Sequence, residues 1–493
     1  MMSRFTLRFS AMRYAGLLSI SLTLGACSLF GDAENIQKTV SGEPKMTFEA
    51  FRAKDPQAPL GAREHPKIVE ANGGAYSNRS IERLIAPIAG ALVTHSNDPE
   101  RAYDITILDS PAINAFALPG GYLYVTRGLL GLANDESEVA AVLAHEIAHV
   151  ASNHGIERSK QAKARTIAER VVNDVVTNEL AGAKAKASAE LKLASFSQTQ
   201  ELQADAVGIK MLARAGFDPF AAARLLTSMQ RYSDWKSAIG SSDDDIRSSH
   251  PSTPRRIELA RRHARSFGPP KGDPRKSGEK FRKRLSGMTF GDNAKQGFVR
   301  GRQFFHKALK ISFSVPDGFD LTNKPEAVLA SGPGETALRF DAVNAAKADP
   351  ATYLKSGWVN GLDPASVTAT TIGDFSAATG RAQAGQWQFH IHVVSARNRM
   401  FRFILAAPTA NRNMDAVARQ IANSFRGLSD REASGLSALK LSVVEVKPGD
   451  TIARLAARMD GVDGKVELFR ALNGLAPGER PRPGTLVKLV TGG

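Results

Sequence analysis

A single cysteine, Cys27, stands in a chain of 493 residues. One thiol excludes an internal disulfide and any zinc finger built on cysteine ligands. Negative charge is also in short supply: 49 acidic residues face 65 Lys and Arg, giving a formal net charge of +16 and a pI near 9.9. That imbalance points to an anionic neighbour, for which nucleic acid, anionic lipid and a cell-wall polymer all qualify. At 42% hydrophobic and 23% charged residues, the composition excludes a wholly disordered chain, a collagen and a polytopic membrane protein. The length suggests roughly two to four domains at about 100–200 residues each.

What is present begins with the N-terminus. Arg4, Arg8 and Arg13 form a positive region ahead of the uncharged stretch Tyr14–Leu24. Eleven residues fall short of the roughly 20 that a membrane-spanning helix needs, so residues 1–26 read as a secretory signal peptide. The following Leu24-Gly25-Ala26-Cys27 resembles a bacterial lipobox. That resemblance implies cleavage before Cys27, lipidation at Cys27 and a stable membrane anchor by several acyl chains. Ser28, where Asp would signal inner-membrane retention, fits the outer membrane. Loss of three arginines leaves the mature chain near +13, still basic.

Residues 27–62 show no sustained period and read as a tether. A helical pattern starts at Ile81 (Ile81, Leu84, Ile85, Ile88, Leu92). Tyr103–Asp109 alternates like a half-buried strand, and Tyr122–Val125 is a second strand after the Pro119-Gly120-Gly121 turn. Asn134-Asp135-Glu136 opens an apolar run to Val150 that reads as a buried helix. Residues 156–195 pattern as one long, charged helix. Residues 266–305 read as a basic linker, with ten Lys/Arg against three Asp/Glu over 269–302. Alternation resumes at Leu309–Val315, Ala337–Val343 and Gln386–Ser395, and a helix around Met414–Phe425 closes a small α+β domain over 306–430. Residues 440–491 make the last domain.

The buried helix carries His145-Glu146-Ile147-Ala148-His149. Positions four apart lie one turn apart on the same helix face, so both imidazoles can serve one tetrahedral Zn²⁺. Glu146 is rotated away by about 100° on a helix of 3.6 residues per turn; it can reach a water at the open coordination position and act as general base. A third ligand is required. Glu201 and Asp205 share a helix face downstream; alone they would read as an exposed acidic face, but beside the upstream motif Glu201 is the expected ligand. Asp205 is then the residue that accepts a hydrogen bond from a ligand histidine.

His145–His149, Glu201-x-x-x-Asp205 and Ser249-His250-Pro251-Ser252-Thr253-Pro254-Arg255-Arg256 together resemble the M48 family of zinc metallopeptidases, the gluzincins that include Oma1- and BepA-type proteases. The resemblance covers residues 63–265 and implies a mainly helical zincin-type peptidase domain with a small edge sheet and one zinc per chain. Membrane-embedded relatives carry spanning helices around this unit; the sequence shows none, so it resembles the soluble periplasmic branch. It also implies that Asn114, Ala115 and Phe116 lie on an edge strand where an extended substrate can pair. For His250 it leaves two roles open: stabilising the transition state or plugging the metal. His154, five residues after His149, is expected to point elsewhere and to be structural.

The C-terminal residues Val444, Val446, Pro448-Gly449-Asp450-Thr451, Leu455-Ala456, Leu472-Asn473-Gly474 and Pro483–Val487 resemble a LysM repeat. Such a βααβ module implies binding to peptidoglycan. The middle domain resembles PsbP/Mog1-like α+β domains around Phe313–Phe319, and its His390 and His392 read as a polar strand face without metal. The expected whole is an α+β multidomain lipoprotein of a Gram-negative envelope, on the periplasmic side of the outer membrane. It cleaves misfolded or stalled envelope proteins; the alternative is a catalytically silent or plugged LysM scaffold. Nucleic acid is excluded as a partner by that compartment and by the lack of a recognised module.

Overall fold

The computed structural model describes residues 5–6, 54–154, 198–240, 250, 252–270, 277–344 and 348–492. The lipobox with Cys27, the helix expected over 156–195, and Ser249 and Pro251 lie outside the described residues. Helix α1 (Ala58–Ala71) and helix α2 (Arg79–Thr94) precede a mixed sheet of β1 (Asp104–Leu108), β2 (Ala115–Leu118) and β3 (Tyr122–Thr126). Because α1 begins at Ala58, the tether expected to run to residue 62 ends earlier. Ala58, Gly61, His65 and Val69 recur three to four residues apart and bury one face of the helix.

Strand β1 runs parallel to β3, and β3 pairs antiparallel with β2, which forms an edge. A two-residue strand, Phe5–Thr6, pairs with the far side of β1; so short a pairing adds little stability. All five residues of β1 are buried, Asp104 and Thr106 included, where its alternation suggested one solvated face. The reason is coverage from both sides. The apolar stripe of α2 packs with Ile105, Ile107, Leu123 and Val125, while Val69 of α1 packs with Leu108, Tyr122 and Tyr124.

Helix α3 (Arg127–Leu132) leads directly to α4 (Glu136–Ala151), capped by the Asp135 carboxylate accepting from Glu138 N at 2.8 Å. Helix α5 (Gln198–Arg214) crosses α4 closely. A Cβ on Gly208 would sit 3.2 Å from the backbone nitrogen of His145, so glycine sets how near the two helices come. Helices α6 (Ala221–Ala238) and α7 (Pro254–Arg265) complete this unit.

The stretch expected to be a basic linker is folded. It contains helix α8 (Glu279–Leu285), with Phe281, Arg282 and Leu285 buried, and strand β4 (Thr289–Phe290). Lys280, Lys283 and Arg284 are the outer face of a short amphipathic helix whose few apolar positions reach the core. Beyond it, Phe298–Arg300 already belongs to a four-stranded sheet of the middle domain. A seven-stranded antiparallel sheet between Asp320 and Pro408 follows, with Arg399–Pro408 between Trp387–Ala396 and Thr336–Val343. The helix Met414–Asn423 and a phenylalanine cluster (Phe313, Phe340, Phe401, Phe403, Phe425) fill its core.

The chain then forms β5 (Leu439–Glu445), α9 (Ile452–Ala457), α10 (Lys465–Leu472) and β6 (Leu486–Thr491), a βααβ unit. Strand β4 adds to its sheet through Leu439↔Phe290 and Lys440↔Thr289. The unit shares one apolar core with the first domain, while the middle domain keeps its own. Lys488, fully buried, donates to the carbonyls of Gly131, Leu132 and Ala133 at 2.7–2.9 Å, and Trp235 Nε1 donates to Asp463 O at 2.9 Å. Among the described residues no helix is long and apolar enough to cross a membrane.

Candidate metal centre

Helix α4 projects His145 and His149 one turn apart toward α5, and all of its residues from Leu143 to His149 are buried. Their Nε2 atoms lie 3.0 Å apart. Glu201 of α5, 1% exposed, places its carboxylate 3.5 Å from His145 Nε2 and 3.3 Å from His149 Nε2. His250 brings Nδ1 to 3.3 Å from His145 Nε2 and 2.8 Å from Glu201 Oε1. The four donor atoms lie within 4.8 Å of one another, and all four residues are buried. Ligand atoms about 2.0–2.1 Å from a tetrahedral ion stand roughly 3.3 Å apart, so this donor set fits a metal.

Around these donors sits a layer of partners. Asp205 Oδ1 lies 3.0 Å from His145 Nδ1. Arg256, at the start of α7 after the Thr253 cap, forks onto Asp205 with two contacts of 2.8 Å and reaches Glu201 Oε2 at 2.6 Å. Sequence reasoning gave Arg256 no role. The available signal was that two carboxylates on one buried helix face need a cation. His154 was expected to point elsewhere, yet its Nδ1 lies 3.0 Å from His149 Nδ1. The chain leaves α4 at Ala151 and turns at Asn153, whose φ of 55° folds residue 154 back under the helix end.

Charge in the cluster is strongly biased. Burial works against ionising Glu201, but its contacts with His145, His149 and His250 hold it well below the usual carboxylate range. Burial likewise opposes Asp205, and Arg256 and His145 bring it to about 2. His145 is raised to about 10 because the carboxylates of Asp205 and Glu201 outweigh its burial. His149 is pushed down to about 3, mainly by burial. Burial raises Glu146, whose Oε1 is 3.6 Å from His250 Nε2.

His145, Glu146 and His250 open onto a small cleft of about 50 Å³. Its walls include Asn114 and Ala115 from the edge-strand side and Leu225, Leu226 and Met229 of α6. Phe116, next along β2, stacks on Tyr124 with ring centroids 4.8 Å apart. The structure therefore brings His145, Glu146, His149, Glu201, Asp205 and His250 together and sets Asn114 and Ala115 beside them, while Phe116 packs away from the cleft on Tyr124.

A histidine pair one helical turn apart, a carboxylate from a second helix and a buried glutamate facing the same cleft define a metallopeptidase-type centre. Residues 75–264 match Peptidase family M48, and the chain carries a domain of that family. It is 30% identical over 199 residues to the "Beta-barrel assembly-enhancing protease" of Escherichia coli K12, covering 38% of this chain and 40% of that protein. It is 31% identical over 218 residues to the "Mitochondrial metalloendopeptidase OMA1" of Schizosaccharomyces pombe, covering 44% and 59%. A "Putative beta-barrel assembly-enhancing protease" of Vibrio cholerae is 29% identical over 218 residues, covering 42% and 44%. The chain thus spans about two fifths of the length of the first of these relatives.

Proposed function

We propose that this protein is a zinc-dependent endopeptidase of the bacterial cell envelope. The observation that carries the reading is the convergence of His145 Nε2, His149 Nε2 and Glu201 on one point, with Glu146 facing the same cleft. Two imidazoles and a carboxylate suit Zn²⁺, one per chain. When bound, zinc supplies a Lewis acid that polarises a carbonyl and acidifies water. The chain's own residues do the rest. Glu146, its pKa raised by burial, accepts a proton from the attacking water and returns it to the leaving amine. Asp205, fixed by Arg256, holds the tautomer of His145 by accepting from its Nδ1. Backbone groups of Asn114, Ala115 and Phe116 pair with an extended substrate by strand addition.

A second reading has its own support. His250 Nδ1 sits beside both His145 Nε2 and Glu201, which fits a plugged centre in which His250 takes a ligand position. His250 leaving the centre would open the site; a permanent plug makes the chain a scaffold of the outer-membrane and peptidoglycan layer. The M48 resemblance and the edge strand support unfolded or stalled envelope proteins as substrates. The βααβ unit, with its Pro448–Thr451 turn, supports a LysM module on peptidoglycan, and the lipobox supports an outer-membrane anchor at Cys27.

Hydrolysis of casein by wild type, Glu146→Gln and His250→Ala, with zinc measured on each sample, tests the reading. We expect cleavage by wild type and its loss in Glu146→Gln at unchanged zinc. Faster cleavage by His250→Ala marks a plug; slower cleavage marks a catalytic role. Zinc-loaded wild type and His250→Ala that both leave casein intact would establish the scaffold instead.

A further inference from the structure

Helix α6 is a wall shared by two cavities. Ala222, Leu225, Leu226 and Met229 face the metal cleft. Ala223, Arg224, Thr227, Ser228 and Arg231 face a second cavity of about 420 Å³. Its other sides are the start of α4, the arginine-bearing end of α7 and the loop joining α10 to β6, so it exists only where the C-terminal unit docks on the first domain. Its volume lies within the range of about 300–1,000 Å³ common for small-molecule sites.

The lining is strongly cationic. Six guanidinium groups (Arg224, Arg231, Arg261, Arg265, Arg282, Arg482) face three carboxylates, those of Asp135, Glu138 and Asp218. All three carboxylates are already taken by one arginine. Arg224 lies 2.7 Å from Asp135, 3.3 Å from Glu138 and also contacts Asp218. Arg282 donates to Asn134 O at 2.9 Å. Among the described residues, the guanidinium groups of Arg231, Arg261 and Arg265 have no hydrogen bond or ion pair. Arg231 is half-buried on α6, and burial together with the like charges of Arg261 and Arg470 lowers its pKa. Like charges gathered in a partly enclosed space are costly without a counter-charge.

We infer that this cavity binds a small oxyanion ligand carrying at least two negative charges, gripped by the guanidinium forks of Arg231, Arg261 and Arg265. A planar guanidinium matches the two oxygens of a carboxylate or a phosphoryl group, which is the recognition that three free forks in one cavity supply. A monoanion would leave most of the excess positive charge uncompensated. The ligand bridges α6, α7 and, through Arg482, the loop before β6. Its binding does not depend on the peptidase reading.

Calorimetric titration of the full-length protein at low ionic strength, with pyrophosphate and separately with citrate, tests this. We expect saturable binding of one molecule per chain for at least one of the two. The double variant Arg231→Gln/Arg261→Gln should bind at least about tenfold more weakly, as expected when charged hydrogen bonds are removed. Arg262→Gln serves as the control, because Arg262 is exposed on the same helix and paired with Glu258 at 2.8 Å; it should bind as wild type does. If the double variant fails to fold, Arg261→Gln alone carries the same comparison, since that side chain is exposed and its guanidinium has no hydrogen bond or ion pair among the described residues. Preference for citrate assigns a carboxylate ligand, preference for pyrophosphate a phosphoryl one, and equal binding supports a site defined by charge. No saturable binding of either anion, or equal weakening in Arg262→Gln, overturns the site.

Discussion

Arg256 shows how much of the metal centre rests on a residue that touches no metal. Its guanidinium spans Asp205 and Glu201, so it fixes the direction of both carboxylates of α5 at once. Removing it leaves two buried acids facing three histidines with no arginine to orient them. Arg256→Met should weaken zinc binding by about 10–100-fold, the usual cost of losing an outer partner of a ligand. Competition against a chromophoric chelator measures it, and wild-type affinity would remove Arg256 from the centre. At this scale the sequence was most informative: helix geometry alone places His145 and His149 on one face, because their spacing matches one turn. Arg256 and His154 were hidden because their positions depend on where α7 starts and how the chain reverses at Asn153.

At the scale of elements, strands and helices with strong periodicity are found where the pattern puts them: Thr336–Val343, Trp387–Ala396 and Met414–Asn423. The polar strand face expected at His390 and His392 is more buried than that pattern suggests. His390 Nδ1 lies 2.9 Å from Asp415, and His392 is 6% exposed. Burial, reinforced by the charges of His390 and Arg419, pushes His392 down to about 4. A histidine neutral in the fold and near 6.5 when unfolded contributes stability above pH 6.5 that is lost as pH falls through 4. The full loss is about 3 kcal/mol. Urea unfolding of the full chain between pH 7 and 4 should show the middle domain weakening over this window, with a shallower dependence in His392→Leu. An unchanged slope in that variant would remove His392 as the cause. The basic stretch 280–284 was misread for a related reason: a seven-residue helix has too few apolar positions for its period to stand out from its charges.

The whole molecule is arranged differently from the order of its parts along the chain. The middle domain is inserted between β4 and β5, and the C-terminal βααβ unit returns to the first domain instead of trailing behind it. Lys488 secures that return by capping the carbonyl end of α3, one turn before the helix of His145 and His149 begins. Lys488→Met leaves three buried carbonyls without their donor and should cost about 2–4 kcal/mol. The expected result is a lower unfolding midpoint for the first domain and the C-terminal unit together, with the middle domain unmoved. A separate transition for the C-terminal unit in wild type would contradict the shared core.

By itself the sequence determined the histidine pair, its glutamate, the helix that supplies Glu201 and Asp205, and the alternating strands of the middle domain. Each of these is set by spacing within one element. Tertiary structure alone decided that Arg256 and His154 meet those residues, that α8 and β4 are folded, and that the last unit docks beside α6 and encloses a cationic cavity. Those contacts join residues far apart in the chain. They depend on which buried faces find each other, and the periodicity of one segment says that a face is apolar without saying what will cover it.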